Sequence, residues 1–154
     1  MSNYDMKQYI GTKIISATPA VRIDGVIYTY DKPIPRAMNR EEGYKVVYPD
    51  GYVSFSPKKV FEEAYRPTND LSFGLAIEAA KKGHKIARRG WNGKSQYIEL
   101  AHAISYVTPD FQVINCNHEC IGNQAFAFVG TSGVQMGWLA SQADMLADDW
   151  YIVE

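Results

Sequence analysis

Leu71-Ser72-Phe73-Gly74-Leu75-Ala76-Ile77-Glu78-Ala79-Ala80-Lys81-Lys82-Gly83 runs directly into His84-Lys85-Ile86-Ala87-Arg88-Arg89, and the apolar period changes between the two. Phe73, Ala76, Ile77 and Ala80 recur at i, i+3, i+4 and i+7, which is one face of a helix. Ser72 can cap its first turn, and Gly83 behind Lys81-Lys82 can end it, because glycine tolerates the left-handed conformation and cations suit the carbonyl end of the dipole. Lys85–Arg89 then reads as a short strand. Further short strands follow at Gln96–Leu100, Phe111–Ile114 and Gln124–Val129, with Gly130-Thr131-Ser132-Gly133 turning into Val134–Trp138. Ser141 with Asp144 three residues on resembles a capping box, although the usual acid is Glu or Gln, and it opens a helix of one or two turns before a last strand, Trp150–Val153. Short strands with few helices between them predict an antiparallel sheet, and so an α+β fold.

Upstream, Tyr9–Ala17 and Val26–Tyr30 read as strands, and the second can pair with Val21-Arg22-Ile23 across the tight turn Asp24-Gly25. Asp31–Asn39 is a proline-rich loop. Tyr44–Tyr48 and Tyr52–Phe55 flank Pro49-Asp50-Gly51, in which proline presets φ and glycine accepts positive φ, the chemistry of a hairpin. A short helix is predicted next, with Ser56 as cap, Pro57 in the first position, and Val60, Phe61, Ala64 and Tyr65 on one face until Pro67 stops it. Arg66-Pro67-Thr68-Asn69-Asp70 is polar and lies between two helical patterns, so it marks a boundary. The expectation is two small units packed together, a hairpin and helix module over 1–67 and an α+β domain over 70–154.

The chain has 154 residues, 46% hydrophobic and 21% charged, which excludes disorder as its general state. Its aromatic share of 13% favours recognition surfaces, because rigid amphipathic rings build flat-ligand pockets and oligomer contacts at low entropic cost. The net charge of −1 divides unevenly: residues 1–69 hold ten Lys/Arg against eight Asp/Glu, and residues 70–154 hold six against nine. Neither half has the basic excess of a duplex-DNA binder, so no nucleic-acid polymer is expected as partner. Met1–Gln8 lacks the apolar core of a signal peptide, and no stretch approaches the roughly 18–20 apolar residues of a membrane span. Two cysteines, Cys116 and Cys120, are too few for a secreted disulfide framework and fit a reducing cytosol.

Three segments could carry chemistry. Gly90-Trp91-Asn92-Gly93-Lys94, preceded by Arg88 and Arg89, can stack a base, bond its edge and bring cations and backbone N–H groups to phosphates. The same residues also make a plain Asn-Gly turn with Trp91 plugging a core edge. Trp138 to Trp150 combines two indoles with Asp144, Asp148 and Asp149. The last two acids lie near a helix C-terminus, where the dipole disfavours them, so they call for a partner such as Arg88, Arg89 or Lys94, or for ligand hydroxyls; a solvated acidic turn fits too. Cys116-Asn117-His118-Glu119-Cys120 has zinc-like residue types, but no second Cys pair completes four ligands, and neither a metal site nor a cofactor is expected. Phosphate loops, nucleophile elbows and metalloprotease or kinase signatures are absent from the sequence; Glu99 and His102 are the isolated acid–base candidates near the loop.

Three motifs occur in order: Leu71-Ser72-Phe73-Gly74, then Lys85 through Lys94, then Trp138 to Trp150. Together they resemble the phage Thoeris anti-defence proteins of the second type, over residues 70–154. That resemblance implies a non-enzymatic sponge that binds and sequesters, without cleaving, a cyclised ADP-ribose signal (glycocyclic ADP-ribose) made by bacterial TIR proteins. It implies a homotetramer working in the cytoplasm of the infected host. Carried over by position, Trp91 and Trp138 would face the adenine with Asn92 beside it, Arg88, Arg89 and Lys94 would meet the diphosphate, and Asp144 and Asp148 the ribose hydroxyls. Residues 1–69 resemble a Tyr-Pro-Asp-Gly-Tyr hairpin and Ser-Pro-Lys-Lys helix module fused ahead of the domain in other phage chains. Its tyrosines would either cover a sheet edge or shape a second pocket suited to cyclic dinucleotides. The competing classes are a phosphodiesterase or ADP-ribose hydrolase, and a structural virion protein whose aromatics serve subunit contacts.

Overall fold

A computed structural model describes residues 6–91, 95–120 and 122–154. The chain divides into two units, Met1–Arg66 and Pro67–Glu154. Both are built from antiparallel strands and short helices, the α+β class that the alternating patterns predict.

In the first unit, β1 (Ser16–Ile23) and β2 (Val26–Thr29) join through Asp24-Gly25, both at positive φ (50° and 81°), the twist that a two-residue hairpin requires. β3 (Glu41–Val47) and β4 (Val53–Pro57) complete a sheet of order β2-β1-β3-β4. Their turn closes with Gly51 N–H donating to Tyr48 O at 2.9 Å, while the Asp50 carboxylate accepts from Tyr52 N–H at 3.0 Å. Val21, Ile23 and Val46 are buried. Helix α1 (Lys58–Ala64) lays Phe61 on the Tyr44 ring, centroids 4.0 Å apart, and Tyr65 continues the stack at 5.0 Å.

Two expectations change here. Ser56 does not cap α1: it remains in β4 opposite Tyr44, so its side chain belongs to a strand, and Pro57 takes the N-cap position with no side-chain cap bond. The strand expected over Tyr9–Ala17 begins only at Ser16, because Met6, Tyr9 and Ile10 have no sheet to bury against and are exposed.

In the second unit, α2 (Phe73–Lys81) lies against a sheet of order β10-β9-β6-β5-β11, made of β5 (Lys85–Arg88), β6 (Tyr97–His102), β9 (Gln124–Gly130), β10 (Gly133–Met136) and β11 (Trp150–Val153). Ser72 Oγ accepts from Leu75 N–H at the start of α2, and Gly83 follows its end at φ 98°. Ala76, Ala80, Ile86, Ile98 and Trp150 form the centre of the core. Between β6 and β9, β7 (Tyr106–Val107) pairs with β8 (Val113–Ile114) as a separate ribbon. The strand expected from Phe111 is therefore shorter, because Phe111 takes φ 64° inside the turn. β10 likewise stops before Trp138. Gly137 at φ 86° turns the chain, and the N–H groups of Gly137 and Trp138 both donate to Phe126 O, at 3.0 and 2.8 Å, which aims Trp138 back at the core. Helix α3 (Gln142–Met145) precedes β11.

Trp150 is fully buried, and its indole N–H donates to Asp144 O at 2.9 Å, so it fills the core without leaving a polar atom unpaired. Trp150→Ala should lower the unfolding free energy by about 3–5 kcal/mol, and Trp150→Phe by less. Urea denaturation followed by far-UV circular dichroism measures both, and a loss under about 1 kcal/mol for the alanine variant would remove Trp150 from the centre of this core.

Candidate functional site

The end of β5, the cap of α3 and the start of β11 converge on three side chains: Arg88, Asp144 and Asp149. Asp144 occupies the third position of α3 and closes a capping box with Ser141. Its Oδ2 accepts from Ser141 N–H at 3.0 Å and Ser141 Oγ–H at 2.9 Å, and its own N–H donates to Ser141 Oγ at 3.1 Å. The second carboxylate oxygen faces across the fold. Oδ1 accepts from Arg88 Nη1 at 2.8 Å and from the Trp91 indole N–H at 3.2 Å. Asp149 takes the other edge of the guanidinium, Arg88 Nε to Oδ1 at 2.9 Å, and accepts from Gly90 N–H through Oδ2 at 2.9 Å. A Cβ at position 90 would meet that oxygen at 2.8 Å, so glycine lets the loop close onto the carboxylate.

The Arg88 and Asp144 side chains are 17% and 13% exposed, little enough for their charges to be weakly screened. Burial alone would push the Asp144 carboxyl up, but the hydrogen bonds from Arg88, Ser141 and Trp91 outweigh it and bring the pKa from 3.8 to about 2. The Arg88 hydrogen bond, supported by Gly90 N–H, also holds Asp149 below its ordinary value, and the two carboxylates raise Arg88 above its own.

Beside this network stands an aromatic cluster. Trp91 meets Trp150 edge-on at 5.4 Å, Phe128 at 5.6 Å and Trp138 at 6.4 Å, and Trp138 meets Trp150 at 6.0 Å. Edge-to-face geometry suits the ring quadrupoles. Trp91 and Trp138 are half-buried, whereas Trp150 is fully enclosed.

Of the residues singled out in the sequence, the fold brings Arg88, Trp91, Trp138 and Asp144 into one group. Arg89 turns to Asp70, with Nη2 to Oδ1 at 2.8 Å, and to the Asn69 carbonyl. Asp148 is exposed on the segment between α3 and β11. Asn92 and Lys94 lie outside the described residues. Sequence reasoning placed Asp149 and Trp150 in the second cluster without assigning either a site role, read Phe73 only as part of a helix face, and did not single out Phe128, which packs on Trp91. The signal for Asp149 was present: an acid near a helix C-terminus calls for a cationic partner, and Arg88 provides it. In the Cys116–Cys120 loop both thiols are exposed, His118 Nδ1 lies 2.7 Å from Ala103 O, and no three His, Cys, Asp or Glu side chains are grouped to hold a metal among the described residues.

The second unit is thus a small antiparallel α+β domain in which half-exposed indoles stand beside one arginine shared by two carboxylates. Residues 71–153 match the sequence model of the Thoeris anti-defense 2-like domain. The chain is also similar to Thoeris anti-defense 2 of Bacillus phage SP01, 35% identical over 86 residues that cover 54% of this chain and 94% of that protein. It belongs to the Thoeris anti-defense 2-like family, and the family match falls within the second unit.

The lowered pKa of Asp144 sets a pH dependence. Its contribution to stability is complete above about pH 4 and is lost as the pH falls from there toward 2, because the unfolded chain takes up the proton first. Asp144→Asn should remove this component, on the order of 2 kcal/mol between those limits. Denaturation midpoints at a series of pH values test it: a variant that keeps the wild-type slope between pH 4 and 2 would show that the network does not depend on this charge.

Proposed function

We propose that the protein is an anti-Thoeris sponge that binds and sequesters, without cleaving, a cyclised ADP-ribose signal made by TIR proteins in the cytoplasm of the infected host. The observation that carries this reading is the pair of half-exposed indoles, Trp91 and Trp138, held in one cluster inside the domain that matches the family. Aromatic faces of this kind take an adenine ring by stacking, and the same chemistry suits the bases of cyclic dinucleotides.

A sponge needs affinity and slow release, with no transition state to favour. The carboxylates fit that role. Asp144 and Asp149 are both held ionised well below neutrality by Arg88, far from the pKa near 7 that serves a general acid or base. Arg89 and Lys94 are proposed for the diphosphate, Asp148 for ribose hydroxyls and Asn92 for the adenine edge, while Arg88 and Asp144, already bonded to each other, hold Trp91 in place. A homotetramer is proposed as well, and exposed apolar side chains on β10 and along the β7–β8 ribbon, including Val134, Met136, Tyr106, Val107 and Phe111, offer surface for subunit contacts.

The test is reversible capture. The protein is mixed with the TIR product, separated from free ligand, and denatured by heat; intact signal in the supernatant is the expected result, and its loss would mean hydrolysis. Trp91→Ala should weaken binding by about 1–3 kcal/mol, read by calorimetry with the same product. Wild-type affinity in that variant would take Trp91 out of the site.

A further inference from the structure

Strand β1 is flanked unequally. It pairs with β3 from Ser16 to Arg22, whereas β2 covers its other side only from Ala20 to Ile23. Along Ser16–Pro19, about 13 Å of strand at ~3.3 Å per residue, that outer edge has no strand partner among the described residues. Beyond Thr29 the chain leaves the sheet, and a hollow of about 670 Å3 opens, lined by the Ser16–Pro19 edge, by Thr29–Asp31 and by Lys45 of β3. An edge with unpaired N–H and C=O groups is a template for another extended chain. Pro19 has no N–H to offer, so it marks the inner end of the hollow and leaves Ser16, Ala17 and Thr18 to set the register.

The segment just ahead of β1 has the complementary properties. Met6, Tyr9 and Ile10 are 96%, 87% and 97% exposed, three large apolar side chains in one short stretch. Residues 6–15 carry Lys7 and Lys13 and no acid, while the exposed Asp31 carboxylate stands at the rim of the hollow. The Lys13 ammonium sits over the Tyr48 ring, 5.2 Å from its centroid, and Tyr48 follows Val47, the β3 partner of Ser16. The root of the arm is thus anchored past the end of the β1–β3 pairing, beside the residue that follows the partner of Ser16.

We propose that residues Met6–Gly11 of one copy of this chain add as an extra strand to the Ser16–Pro19 edge of a second copy, so that the first unit is an arm-exchange surface for self-association. Reciprocal exchange gives each copy the same contact and leaves no free arm, the closed arrangement that a two-fold pair permits. The inference rests on the first unit alone and stands apart from the ligand reading of the second.

Cysteine cross-linking of the full chain tests it. With Cys116→Ser and Cys120→Ser as background, chains carrying Tyr9→Cys or Ile10→Cys are mixed with chains carrying Ala17→Cys or Thr18→Cys, oxidised gently, and resolved on non-reducing gels. Side chains alternate across a strand, so two of the four pairings, those sharing a face, should form mixed dimers at least about tenfold faster than the other two and than a Met38→Cys with Ala17→Cys control. Equal rates in all pairings would overturn the proposal. So would bridges that form only within one chain when both cysteines are placed on it, which would show that the arm closes its own hollow.

Discussion

The Asp144 carboxylate holds together three segments that are distant in sequence. Removed from most of its water, it would be costly to keep ionised, yet it receives four donors: Arg88, Trp91 and two from Ser141. Its backbone carbonyl takes a further bond from Trp150. The end of β5, the cap of α3 and the buried indole of β11 are thereby fixed against one another, and the half-exposed faces of Trp91 and Trp138 keep their aim. Arg88 divides its guanidinium between Asp144 and Asp149, so one cation serves two anions and the remaining negative charge rests on neutral donors from Ser141, Trp91 and Gly90. Breaking any one would leave a partner poorly solvated, which is why such a network fails as a unit.

Much of the architecture was legible in local chemistry. The period of Phe73, Ala76, Ile77 and Ala80 with Ser72 ahead of it specifies α2, because an apolar stripe and a cap act within a few residues of each other. The positive φ values at Asp24 and Gly25 and the Ser141–Asp144 box are equally local. Features set by pairing were harder to read. Ser56 has the chemistry of a cap, but the β3–β4 register carries the strand through Pro57. Tyr9 and Ile10 have strand propensity but no strand to join. For the site, the motifs named Arg88, Trp91, Trp138 and Asp144, which the fold assembles, whereas Asp149 lies 61 residues from Arg88 and was visible only as an oddly placed acid. Trp150 stood in the candidate segment yet fills the core, and Phe128 was read only as part of a strand, because an aromatic beside a site and one in a core look alike in sequence.

The first unit shows what a small sheet does when it has little interior. Helix α1 has no buried residue, and its attachment comes from the Tyr44–Phe61–Tyr65 stack together with Tyr44 Oη–H donating to Glu62 at 2.9 Å. Close backbone approach does the rest. At Gly43 a Cβ would stand 2.1 Å from the Ser56 carbonyl oxygen and 2.6 Å from the Phe55 ring, so β3 and β4 can come this near only with glycine there.

The clustering of the indoles gives the molecule two optical labels. All three tryptophans, Trp91, Trp138 and Trp150, lie in the second unit and touch one another, while eight of the eleven tyrosines belong to residues 1–66. Light absorbed by indole alone therefore interrogates one unit, and tyrosine emission is weighted toward the other. Melting, proteolysis or ligand addition can be followed separately in each half of the native chain, with no dye attached and no residue replaced.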